Sequence, residues 1–167
     1  KGKNRSWFER QLISNIKFQL SGLPYSKVHL TAARIFCFGI DKSLWNDYAS
    51  RLKKVMGIKH AMLMDQVVSD IDIIQTIAAN QLEDLEFSSF RVSARRQYKE
   101  FHLSSHEINQ VVGQYIQSIY LKPVKLKEAD IDVVIELVKG MAYIGHQRIN
   151  GFGGLPVKTG ERAVSMI

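Results

Sequence analysis

The stretch RVSARRQYKEFHLSSHEINQVVG, residues 91–113, decides the fold of the second half of the chain. From Phe90 to Arg95, apolar and polar side chains alternate, which is typical of a half-buried strand. Ser104 and Glu107 then have the spacing of a capping box, which marks a helix start. Apolar residues follow at helical intervals over residues 108–119. The stretch therefore predicts a strand, a basic connection and a helix that begins beside that connection.

The residues on either side of this stretch complete an α/β unit. An apolar stripe over residues 73–82 predicts a helix, and Ser69 with Asp72 forms a start signal like a capping box. Ile131–Val138 and Met141–Ile149 read as strands, and the short Lys-Gly connection between them predicts a tight hairpin.

The first 65 residues follow the order helix, strand, strand, helix, strand. An apolar face over residues 8–20 predicts the first helix, and Ser43 is predicted to cap the second. The strands are predicted at Lys27–Leu30, Arg34–Phe38 and Ile58–Met64. This order is that of a βαββαβ unit without its first strand.

We therefore predict a mixed α+β chain with two domains, residues 1–65 and 66–167, joined by a short linker near Asp65–Ser69. Because a first strand is missing, because Lys1 is not a start methionine and because Val164–Ile167 reads as a strand just beginning, we expect a piece of a longer protein.

The charge of the chain favours a polyanionic partner. The formal net charge is +7 and the pI is about 9.5, which favours nucleic acid ahead of a membrane surface and leaves open a merely basic, soluble protein. The single cysteine, Cys37, excludes an internal disulfide framework and a cysteine-based zinc site. No apolar run has the length of a membrane span, so we expect a cytoplasmic protein without a membrane partner.

The loop GFGGLPVKTG, residues 151–160, is rich in glycine but matches neither nucleotide-binding device. A Walker-type loop needs glycine directly before its Lys-Thr pair, where this chain has Val157. Pro156 stands at the third glycine position of the dinucleotide fingerprint. The loop is then either an RNA contact or a plain turn.

The chain offers little for catalysis. Its five histidines lack metal-ligand spacing, and Ser104, Ser105 and His106 are neighbours in sequence without the geometry of a triad. We expect no catalytic residue and no metal site in this segment.

Clustered basic residues, free helix-start amides and glycine loops together suit phosphate groups. Interleaved aromatic residues suit unstacked bases. The open alternatives are a solvated sheet face with Phe101 in the core, a plain cap at Ser104 and a frayed basic N-terminus. The predicted RNA-binding residues are Lys1, Lys3, Asn4, Arg5, Arg91, Arg95, Arg96, Lys99, Phe101, Ser104, Ser105, Asn109, Arg148, Gly153, Gly154 and Lys158.

Three segments carry a family resemblance: KGKNRSWFERQL at residues 1–12, ARRQYKEFHLSSHEINQVVG at 94–113 and INGFGGLPVKTGERAVSMI at 149–167. Over essentially the whole chain, they resemble the tRNA 4-thiouridine synthetases, or tRNA sulfurtransferases. The resemblance implies an N-terminal ferredoxin-like domain that lacks its first strand, followed by a THUMP domain. One position departs from the family, which commonly has glycine after GGLPV where this chain has Lys158.

The resemblance also implies a function. In the family these two domains recognise the acceptor stem and 3′ CCA end of tRNA, so that the uridine at position eight is thiolated in a catalytic domain. That domain uses ATP and magnesium and receives sulfur from a cysteine desulfurase. This segment would need no cofactor, the parent would often be a homodimer, and some relatives also serve thiamine biosynthesis. The alternatives are a THUMP module of another RNA-modifying enzyme, such as a methyltransferase, and a standalone nucleotide-binding enzyme.

Overall fold

The computed structural model describes residues 4–97 and 100–158, which form two compact units. Of the described residues, the N-terminal unit holds 4–61 together with 148–158, and the inserted unit holds those between 62 and 147. The sequence placed one boundary after residue 65, whereas the structure has two. The reason is long-range pairing, since the strand at residues 148–150 pairs with the one at 60–62.

The described chain contains four α-helices and eight strands. In chain order they are α1 (Arg5–Gln19), β1 (Lys27–Thr31), β2 (Arg34–Phe38), α2 (Trp45–Lys53), β3 (His60–Met62), β4 (Asp65–Val68), α3 (Ile71–Asn80), β5 (Phe90–Arg96), α4 (Ser105–Tyr120), β6 (Ile131–Val138), β7 (Met141–Gly145) and β8 (Arg148–Asn150).

In the N-terminal unit, β1 and β2 form an antiparallel hairpin, and β3 pairs with β8 in a second two-stranded sheet. Apolar side chains from the two helices pack on the hairpin. The buried members of this core are Ile16, Leu20, Val28, Tyr48 and Val55. The predicted hairpin strands are confirmed, because their alternate residues face this core.

In the inserted unit, four strands lie in the order β4-β7-β6-β5, with β5 and β6 parallel and the other pairs antiparallel. Helices α3 and α4 contribute to one core with the inward residues of the sheet, including Phe90, Ile108, Val112, Ile135 and Ile144. The predicted strand and helix of residues 91–113 are confirmed.

The predicted linker Asp65–Ser69 is wrong for its first four residues, which form edge strand β4. Asp65 lies opposite Ile144 and Val68 opposite Met141. Four residues are too few for an alternation to stand out in the sequence. The predicted strand Met141–Ile149 is also divided, because β7 and β8 belong to different sheets.

Two predicted helix caps are taken over by neighbouring aspartates. Asp41 accepts a hydrogen bond from the Ser43 backbone N–H at 2.9 Å and opens a short 3₁₀ turn ahead of α2. Asp70 caps α3, while the Ser69 hydroxyl donates to the Gly140 carbonyl at 2.7 Å. Asp and Ser are both good caps, so the sequence alone does not separate adjacent candidates.

The turn of the β1–β2 hairpin places two alanines at positive φ. Ala32 has φ 48° and Ala33 has φ 58°, although such turns favour Asn-Gly. The left-handed conformation destabilises a residue that has a Cβ by about 1–2 kcal/mol. Glycine avoids this strain, but it loses more chain entropy on folding, which offsets about 0.5–1 kcal/mol of the gain. We expect Ala33→Gly to raise the free energy of unfolding by about 0.5–1 kcal/mol in urea denaturation. Ala61→Gly, whose φ is not positive, is the control and should lower it; equal effects would contradict this account.

Within residues 4–97 and 100–158, no helix is both long enough and apolar enough to cross a bilayer.

Candidate nucleic-acid interface

Strand β5 carries Arg91 and Arg95 on the face opposite the core. Arg91 lies opposite Asp132 of β6 and forms an ion pair with it. The Ser93 hydroxyl donates to the same carboxylate at 2.5 Å. The hydrogen bond and the negative charge of Asp132 raise the pKa of Arg91 above its usual value. The charge of Arg91 is therefore largely compensated, and this residue offers less to an anion than its sequence position predicted.

Arg95, the last residue of β5 on the same face, keeps its charge available. Its side chain is exposed, and it forms no hydrogen bond or ion pair with any residue in the described part of the chain. Glu136 lies opposite it in the strand register but is 92% buried, and Arg95 does not pair with it. Arg95 is thus the strongest candidate on this strand for binding a phosphate.

Arg96, the next residue along β5, is joined to Phe101 by a hydrogen bond. Arg96 Nη1 donates to the Phe101 carbonyl at 2.7 Å, which fixes the connection between β5 and α4. The Phe101 ring is only 6% exposed and belongs to the core. A buried ring is not available to stack on a base, so the alternative left open by the sequence, Phe101 in the core, is the observed one. Tyr98 and Lys99 lie outside the described residues.

The start of α4 is occupied by its own capping box. Ser104 Oγ accepts from the Glu107 N–H at 3.2 Å, and the Glu107 carboxylate accepts from the Ser104 N–H at 2.7 Å. These hydrogen bonds from Ser104 hold the pKa of Glu107 below its usual range. The predicted box is confirmed, and it places a carboxylate where the sequence suggested an anion would bind. Of the neighbouring residues, Ser105 is half-buried and His106 is exposed.

Asn109 has a structural role that sequence reasoning missed. Its Oδ1 accepts from the Ala94 N–H at 2.7 Å, so it joins α4 to edge strand β5. An edge strand has backbone N–H groups without a ladder partner, and this amide satisfies one of them. No local pattern in the sequence marks this bond, because it joins residues that are 15 positions apart.

Three exposed lysines beside the start of β5 were not predicted. Lys122, Lys125 and Lys127 alternate with apolar residues in the connection from α4 to β6. Phe90 pairs with this connection through its N–H to the Pro123 carbonyl at 3.2 Å and its carbonyl to the Lys125 N–H at 2.9 Å. The presence of three lysines within the six residues KPVKLK could have revealed this basic edge.

The glycine-rich loop closes the N-terminal unit. Gly151 N–H donates to the Lys59 carbonyl at 3.0 Å and Gly153 N–H to the Ile58 carbonyl at 2.8 Å, while the Gly153 carbonyl accepts from Gly57 at 2.7 Å. These amides are used within the fold and do not form a phosphate cradle. The loop is therefore a turn whose backbone hydrogen bonds stabilise the N-terminal unit. This is one of the two alternatives that the sequence left open.

Three other predicted contacts of this segment remain accessible. Arg148, Gly154 and Lys158 are exposed, and Lys158 has φ +66°. That left-handed conformation favours glycine. The lysine thus adds a charge at a position whose backbone suits glycine.

At the N-terminus, the charge of Arg5 is paired. Its Nε donates to Glu9 at 2.7 Å, one helical turn away. Asn4 precedes α1 without a side-chain capping bond. Lys1 and Lys3 lie outside the described residues.

Buried titratable groups supply no further chemistry. Burial raises the pKa of the Cys37 thiol and lowers the pKa of His146, whose Nδ1 is buried without a hydrogen-bond partner. In the part of the chain that the structure describes, no three His, Cys, Asp or Glu side chains are grouped so as to hold a metal ion.

Two domain-family models match this chain, and it is similar to a known protein along its whole length. The family model for the ThiI ferredoxin-like domain matches residues 1–61, and the THUMP domain model matches residues 68–147. A probable tRNA sulfurtransferase of Listeria innocua is 33% identical over 172 residues, which cover all of this chain and 42% of the relative.

Two solved structures are similar in fold. A crystal structure of a Pyrococcus horikoshii protein has a TM-score of 0.85 and 36% identity, covering 93% of this chain and 54% of that one. A 4-thiouridine synthetase–RNA complex with bound ATP has a TM-score of 0.78 and 30% identity, covering 95% of this chain and 41% of that one.

The chain is therefore a mixed α/β protein in which a ThiI-type ferredoxin-like domain is followed by a THUMP domain. It spans less than half the length of the Listeria relative. The resemblance to the tRNA sulfurtransferases that its sequence motifs predicted is confirmed by these two domain models and by these similar proteins.

Proposed function

We propose that the chain is the tRNA-binding front end of a tRNA sulfurtransferase and recognises the acceptor stem and 3′ CCA end. The observation that carries this proposal is Arg95, an exposed arginine without a partner among the described residues, on the edge strand of a THUMP domain. Arginine forks onto phosphate oxygens. The net charge of +7 supports attraction to a polyanion. RNA is present in a structure similar to this chain, the 4-thiouridine synthetase complex.

The catalytic steps belong to the rest of such a protein. There, ATP with magnesium would activate the uridine at position eight, and a cysteine desulfurase would supply sulfur. A homodimer and a cytoplasmic location are part of the same proposal. A standalone nucleotide-binding enzyme is disfavoured, because the Gly151 and Gly153 amides are already bonded within the fold.

The RNA-binding face proposed here centres on Arg95, with the lysines of residues 122–127 as accessory phosphate contacts. The exposed Arg148, Gly154 and Lys158 remain proposed contacts of the N-terminal unit. Phe101 is left out, since its ring is buried. Arg96, Ser104 and Asn109 are kept as residues that position this face.

The test is a titration of the chain with unmodified tRNA, with and without its 3′ CCA, at low and moderate salt. We expect trimming to weaken binding, and Arg95→Ala to weaken it further and to lower the log–log salt slope by about 0.7–0.9. Arg10→Ala on exposed α1 is the matched control, because it removes the same charge from the other unit. If the two variants lose the same affinity for tRNA, or if removal of the 3′ CCA does not change the affinity, the surface binds RNA only through nonspecific charge.

A further inference from the structure

The N-terminal unit contains a small groove that no part of the proposed THUMP contact uses. It lies between α1 and the residues just after α2, and the end of the glycine loop closes it. Its volume is about 200 Å³. Apolar side chains of Phe18, Met56 and Val157 line it together with Lys54 and Lys158.

The walls of this groove are fixed by specific bonds. The Asn15 side-chain amide donates to the Val157 carbonyl at 3.2 Å, and the Asn15 oxygen accepts from Gln11 at 2.9 Å. Asn15 is buried although polar, so these bonds satisfy an amide that would otherwise be costly to bury. The groove is therefore held by the fold and does not depend on a chance arrangement of surface side chains.

Three exposed apolar side chains, Phe18, Met56 and Val157, line the groove. Phe18 is 79% exposed on α1, and Val157 is 52% exposed on the opposite wall. The loop before Val157 also carries the exposed side chains of Phe152 and Leu155, which do not line the groove. Single exposed apolar residues are ordinary, but a group of them indicates an interaction surface.

The charge of the groove selects the occupant. Its lining contains two lysines and no carboxylate. An exposed aromatic ring beside cationic side chains suits an unstacked base joined to phosphates. The volume lies below the range of about 300–1,000 Å³ that drug-sized ligands need, so a single flat ring suits it better than a whole cofactor.

We propose that this groove binds one unpaired nucleotide of RNA, with its base against Phe18 and its flanking phosphates on Lys54 and Lys158. The inference rests on the proposed function, since it adds a second contact to the same RNA.

The test uses the full chain and an acceptor-stem hairpin with an unpaired 3′ CCA end, followed by fluorescence anisotropy. We expect Phe18→Ala to weaken binding about 5- to 150-fold, as loss of one base–aromatic stack does. Phe18→Trp should restore binding, because a larger ring can still stack. Leu121→Ala is the control, because Leu121 is 84% exposed on the inserted unit. A fluorescent base analogue in the unpaired end should lose its stacking signal only in Phe18→Ala.

The outcomes separate this inference from the proposed function. If Arg95→Ala weakens binding while Phe18→Ala matches the Leu121→Ala control, the groove does not contact RNA and only this inference is overturned. If the parent chain does not bind the hairpin at all, both are overturned. Self-association that Phe18→Ala abolishes, without a change in RNA affinity, would assign the groove to a second copy of the chain and overturn the inference as well.

Discussion

Gly145→Ala is expected to lower the free energy of unfolding by at least ~3 kcal/mol, because the new methyl group has no space. A Cβ built on Gly145 would lie 2.1 Å from the Leu63 carbonyl oxygen, far inside van der Waals contact. That oxygen is backbone, so relief requires the chain before β4 to move away from β7. Urea denaturation followed by circular dichroism measures the effect.

The control for this variant is Gly113→Ala in α4. No atom lies within 4 Å of the position its Cβ would take, and alanine favours helix over glycine by about 0.5–1 kcal/mol. We expect this substitution to stabilise the chain. If both variants unfold at the same urea concentration, this contradicts the account in which the Leu63 carbonyl leaves no space for a Cβ at Gly145.

Phe101→Ala is expected to cost about 3–5 kcal/mol of stability, the usual range for removing a buried aromatic ring. Phe101 packs in the core of the inserted unit at 6% exposure. Its carbonyl also accepts the Arg96 hydrogen bond, so loss of packing there loosens the connection that ends β5. Thermal and urea unfolding give the free energy directly.

The neighbouring residue supplies the comparison. His102 is exposed and its ring lies 4.7 Å from the Phe101 ring, so His102→Ala should cost no more than an aromatic pair, about 0.5–1.5 kcal/mol, which is well below the loss expected for Phe101→Ala. At a temperature where Phe101→Ala is still folded, its RNA affinity should stay close to that of the parent. Full stability with lost RNA affinity would instead make the ring a stacking platform.

The local pattern of this chain was readable wherever the signal lies within one turn or one strand. The alternation in β5, the Ser104–Glu107 capping box and the hairpin between β6 and β7 were all predicted and observed. Long-range partners were not. β4 is four residues long, and β8 pairs with a strand far back in the chain, so neither contact leaves a local periodicity.

The same limit applies to the site. The sequence points to the basic stretch at the end of β5, but it does not separate the arginines that are bonded from the one that has no partner among the described residues. Arg91 meets Asp132 across the sheet, and Arg96 meets a carbonyl five residues ahead, whereas Arg95 meets neither. Those differences depend on strand register and on the path of the connection, which only the folded chain defines.

The pairing of β3 with β8 also has a consequence for the order of folding during synthesis. When the ribosome has made His60–Met62, the partner strand Arg148–Asn150 does not yet exist. In the nascent ferredoxin-like domain, β3 therefore stays unpaired while the whole THUMP domain is translated and is free to fold. A folded THUMP domain brings its own two ends into fixed positions and shortens the effective loop that must be closed. We therefore expect the THUMP domain, although it is synthesised later, to fold first. Its folding then brings β3 and β8 together and allows the ferredoxin-like domain to complete its fold.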